Sequence, residues 1–126
     1  MLNKHDEMLT EELNKGITKI DSELEDFKSA TKQIERDEEE CLGRLWHDER
    51  KQIESNVYEC WNGPQARRYV GQYIDDCDSA AKKVRYKADE TRDWFRAEMN
   101  RLSRRREDKE MEISFIKRMA GARNGR

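Results

Sequence analysis

The sequence predicts an all-α protein, a long antiparallel two-helix hairpin of coiled-coil type. Three observations predict it. Apolar residues recur in heptads through the first half of the chain. A strong turn signal sits almost at the midpoint of the 126 residues. The two halves around it carry opposite net charge. Composition agrees: hydrophobic residues are 34%, charged residues 43%, and mean hydropathy is -1.26. A compact globule needs more apolar side chains than this. Paired helices need only a narrow seam.

The first arm spans about residues 4–61. Leu13, Ile20, Phe27, Ile34 and Cys41 share one heptad position, and Ile17, Leu24, Thr31, Glu38 and Leu45 share the other. The 4-3 spacing is that of a coiled-coil seam. Thr31 and Glu38 weaken its middle. After Leu45 the register slips, and Trp46, Ile53, Val57 and Cys60 continue a stripe of shifted phase. Gly16 and Gly43 are soft points, each costing about 1 kcal/mol against alanine in a helix interior.

The turn is Asn62-Gly63, a dipeptide that tolerates positive φ. Gly63 suits the C′ position that closes the first helix. Pro64 suits N1 of the next, where its missing N–H costs nothing. A loop of two residues makes the helices antiparallel neighbours.

The second arm spans about residues 64–120, followed by a frayed tail at 121–126. Val70, Tyr73, Cys77, Ala80 and Val84 keep the 3-4 spacing, and Thr91, Phe95, Leu102, Ile113 and Ile116 follow. Arg106 and Lys109 fall on seam positions, so that stretch is expected to be solvated or to await a partner. Residues 1–63 hold 9 Lys+Arg and 17 Asp+Glu, and residues 64–126 hold 17 and 11. An acidic arm thus folds on a basic one. Each exposed ion pair is worth only about 0.2–1 kcal/mol, so charge selects the pairing more than it holds it.

The sequence carries no catalytic constellation, and the expectation is a non-enzyme without metal or cofactor. Trp46-His47-Asp48-Glu49 is not HExxH. Asp37-Glu38-Glu39-Glu40 lacks the glycine and spacing of a calcium loop. Three cysteines without a CxxC argue against a disulfide frame or a zinc site. The Arg101, Arg104, Arg105, Arg106 cluster is followed by Glu107 and Asp108 in a chain of pI ≈ 5.8, which disfavours nucleic acid as partner. No stretch approaches the roughly 18 apolar residues of a membrane span, and the polar N-terminus lacks the apolar region of a signal peptide. The expected location is the cytoplasm, with export by a route that reads no cleaved signal left open.

Trp61 is the one residue of the turn that the bend itself does not require. With it, Trp61-Asn62-Gly63, followed by Pro64, Ala66 and Tyr69, resembles the Trp-x-Gly turn of the WXG100 superfamily. That resemblance implies a dimeric helical hairpin tied to type VII secretion in Gram-positive bacteria. The superfamily's export motif, Tyr-x-x-x-Asp/Glu, has one match, Tyr86 to Glu90, but inside the second arm rather than at the tail. Tyr86 and Glu90 are also an ordinary i, i+4 helix pair. Size, charge and the missing terminal motif look more like the small helical accessory proteins of LXG toxins. That likeness implies a targeting factor or chaperone for the toxin's helical N-terminal domain, with a sibling small helical protein or a self-dimer as further partners. Trp46, Trp94, Phe95, Phe115 and Ile116 are the residues expected to cover a partner's helices. Trp94 and Phe95 are adjacent and point about 100° apart on a helix, so one of them is expected to be exposed. The competing expectation is a coiled-coil scaffold or regulator unrelated to secretion.

Overall fold

A computed structural model describes residues 2–124 and shows an all-α helical hairpin. Helix α1 is Lys4–Gly43, and helix α2 is Arg50–Cys60. Between them Arg44–Glu49 forms a π-helical segment. The backbone is helical on both sides of that segment, at φ -60 for Gly43 and -62 for Arg50, so the first arm is continuous. Helix α3, Pro64–Asn124, is the second arm.

Local chemistry sets the ends. Asn3 caps α1: its Oδ1 accepts the Asp6 N–H at 2.8 Å, one of the donors a helix start leaves without a partner. Trp61, in extended conformation, ends α2 while its N–H donates to the Val57 carbonyl at 2.7 Å. The turn departs from the sequence expectation at Gly63. This glycine does not close the first helix. It opens the second, its carbonyl accepting the Arg67 N–H at 3.1 Å. Its φ of 115 is a conformation open to glycine and strained for other residues. Pro64 begins α3 as expected of N1.

At the other end, α3 continues through residues 121–124 instead of fraying at 121; residues 125 and 126 lie outside the described residues. Two contacts near that end hold the last turns. Ala120 is buried, and Arg123 pairs with Asp6.

Contacts group the chain into two compact units. The first comprises Met1–Ala30 and Trp94–Arg126. Its apolar core is Ile20, Leu102 and Ala120. Charges complete its seam. Arg106 binds Asp21 through Nε at 2.7 Å and also pairs with Glu110. Lys109 lies across Gly16, with its Cε 3.0 Å from where a Cβ would stand. The stretch expected to be solvated or awaiting a partner is therefore matched inside the chain.

The second unit is Thr31–Asp93. Here α3 buries Ala66, Cys77 and Ala88, eleven residues apart, together with Val70 and Ala81, also eleven apart. Ala81, not the neighbouring Ala80, takes the buried place. Eleven residues make three turns of 3.67, slightly longer than a heptad's 3.5. The facing arm follows heptads to Leu45 and then spends eight residues reaching Ile53. The π segment supplies that extra residue, which is the slip visible in the sequence. The seam glutamate Glu38 pairs with Arg92, both largely covered.

Candidate functional site

Among the described residues, no three His, Cys, Asp or Glu side chains are grouped to hold a metal. His5 and His47 are exposed. Among the described residues no helix is long and apolar enough to cross a membrane. Among its many exposed charges the surface also carries large aromatic and apolar side chains.

In the first unit the candidates gather at two places. Phe27, on α1, meets both aromatic neighbours of α3. Its ring lies 6.0 Å from that of Trp94 and 5.4 Å from that of Phe95, edge-on in both cases. Phe95 is half-buried, and Trp94 is 57% exposed. The 100° between neighbours on a helix thus exposes one ring of the two. Beside this cluster runs an open groove of about 400 Å³ lined by Glu23, Asp26, Phe27, Ala30 and Phe95. Near the chain ends, Phe115 is 57% exposed and Ile116 half-buried. Both line a groove of about 550 Å³ with Leu9, Leu13, Glu12, Lys109 and Glu112. Met111 and Met119 flank Phe115 at i-4 and i+4, and both are exposed.

In the second unit the candidates are engaged within the chain. The Arg85 guanidinium stands 4.8 Å from the centre of the Trp46 ring, a cation–π contact. Trp61 packs against Tyr69 with ring centres 6.0 Å apart, across the turn from α2 to α3. The tryptophan that the bend did not require therefore bridges the two helix ends. Tyr86 and Glu90 lie exposed, one turn apart on α3. Tyr73 donates its hydroxyl to Glu49 at 3.3 Å; desolvation, then the Glu49 carboxylate, raises its pKa. Burial, and next Glu49 and Asp78, push the Cys77 thiol up as well. A thiol held in its neutral form is a poor nucleophile.

Sequence reasoning found the rings on α3 and missed their setting. Phe27 reads as an ordinary seam residue, and its role in joining Trp94 to Phe95 depends on which arm residues face each other. Glu23, Asp26 and Ala30 flank it at -4, -1 and +3, a helical neighbourhood that was readable. Arg85 has no signal linking it to Trp46 across 39 residues. No family model, curated protein or solved structure matches the chain.

Proposed function

We propose that the protein is a non-enzymatic adaptor that recognises a helical partner by side-by-side helix packing. One observation carries this reading: Trp94 and Phe115 each stay 57% exposed, while the buried apolar core among the described residues is eight residues, five of them alanine or cysteine. Large rings left partly in water favour burial against a partner, each gaining on the order of half the roughly 1.5–3 kcal/mol of full burial. A helix laid along such a surface would add a layer, as in a bundle. The Trp61-Asn62-Gly63 turn and its likeness to the WXG100 superfamily direct the choice of partner. It is the helical N-terminal domain of an LXG-type effector, for which this chain acts as a targeting chaperone in type VII secretion.

Co-expression with such a domain tests the reading. A complex should co-elute at micromolar concentration. Trp94→Ala and Phe115→Ala together should weaken it at least tenfold, while circular dichroism keeps its helical signal. Absence of a complex at micromolar concentration sinks the proposal. A complex insensitive to both substitutions would move the interface elsewhere.

A further inference from the structure

Four residues of α1, Glu23, Asp26, Phe27 and Ala30, line one groove of the first unit. Their spacing is i, i+3, i+4, i+7, the ridge pattern against which another helix packs. Ala30 is small and leaves a dip, and Phe95 from α3 closes the floor. The lining is mixed in an informative way. The floor is aromatic, and two carboxylates stand at its edge. Among the described residues neither Glu23 nor Asp26 forms an ion pair or a hydrogen bond. Nearby carboxylates are treated differently: Glu25 holds Lys28 at 3.3 Å, and Asp21 holds Arg106. Trp94, in contact with Phe27, adds an exposed indole next to the groove.

An aromatic floor with two unpaired carboxylates suits one kind of group. A guanidinium offers a flat cation that stacks on ring faces and a fork of donors that fits a carboxylate. A carboxylate-bearing helix would meet like charge here, and a wholly apolar helix would leave Glu23 and Asp26 to be desolvated without a partner. We infer that this groove is a docking site for a basic amphipathic helix of a partner protein, which places an arginine between Glu23, Asp26 and the Phe27–Trp94–Phe95 rings. The inference rests on the adaptor reading and adds to it the charge and the key side chain of the partner.

The test uses two synthetic amphipathic peptides with the same leucine face, one carrying arginine at every seventh position and the other glutamate there. Calorimetry on the native protein measures affinity. A Trp46→Phe/Trp61→Phe variant makes Trp94 the single tryptophan, so that its emission reports occupation of the site. The arginine peptide should bind, shift that emission, and outbind the glutamate peptide at least tenfold. Glu23→Gln/Asp26→Asn should weaken it by about fivefold or more. Glu35→Gln/Glu39→Gln, which removes the same charge from the second unit, should leave affinity within about twofold. Equal binding of the two peptides, or equal loss in the two charge variants, overturns the inference and leaves the adaptor reading standing. So does a sedimentation result in which Glu23→Gln/Asp26→Asn dissociates a dimer, because the groove would then hold a second copy. If a toxin domain co-elutes with the protein but the arginine peptide leaves Trp94 unchanged, this site is wrong and the function is not. Failure of the co-elution itself tells against the function separately.

Discussion

Lys109 lies flat across α1 because residue 16 has no side chain. A Cβ there would stand 3.0 Å from its Cε and 3.1 Å from its Nζ, tighter than ordinary contact. Gly16 reads in the sequence as a soft point, and Lys109 as a misplaced cation on an apolar seam. Together they are one fitted contact, and no single-arm pattern announces it. Alanine in a helix interior is normally better than glycine by about 1 kcal/mol. Gly16→Ala should deliver that gain in a Lys109→Ala background and clearly less in the native chain, as read by urea denaturation of the four variants. Equal effects in both backgrounds would mean the lysine simply swings away. A second residue-scale prediction concerns alkali. The folded state holds the Cys77 thiol above its ordinary value of 9.0 and the Tyr73 hydroxyl above 10.0. A raised value means the neutral form is favoured on folding. The stability it contributes is therefore complete below about pH 9 and is lost as pH rises through the folded values. Denaturation midpoints should fall as pH rises above about 9. Cys77→Ala should remove the earlier part of that fall and Tyr73→Phe the later part.

At the scale of elements, the first arm was legible and the second only in part. Heptads from Leu13 to Cys41 named the seam of α1, and the slip after Leu45 falls within the π segment Arg44–Glu49. The eleven-residue spacing of Ala66, Cys77 and Ala88 was missed, because alanine carries little weight in a search for apolar stripes. Which small residues are buried there depends on how the two arms pair, and not on either sequence alone. The two polar breaks in the first seam had different fates. Thr31 is half-buried, whereas Glu38 is bound by Arg92, which also holds Asp89 at 2.7 Å. A covered ion pair costs desolvation and is most damaging when halved. Arg92→Ala should destabilise by about 1–3 kcal/mol, while Glu38→Leu with Arg92→Met should recover most of the loss in thermal unfolding. If the double variant is as unstable as the single one, the pair contributes more than its charges. At the turn, Gly63→Ala should cost about 1–2 kcal/mol, since φ of 115 strains the backbone of any residue with a side chain. A neutral result would show the turn relaxing to another conformation.

For the whole molecule, the charge division and the apolar shortage in the composition foretold the outcome: thin apolar seams of mostly small residues, joined by ion pairs. What the sequence could not show is which rings the pairing would cover. Trp46 and Trp61 find partners in Arg85 and Tyr69, while Trp94 stays open beside Phe27. The cysteines have a further use. All three are free and all belong to the second unit, yet Cys60 is exposed, Cys41 is half-buried and Cys77 is buried as part of the eleven-residue stripe. The chain therefore carries a built-in gauge of its own opening. A maleimide at pH 8 should label Cys60 first, Cys41 next, and Cys77 only as fast as urea parts the helices around it. Peptide mapping of the label would time that parting without any added probe, and Cys77 reacting as fast as Cys60 in the absence of urea would show that the second unit is already open.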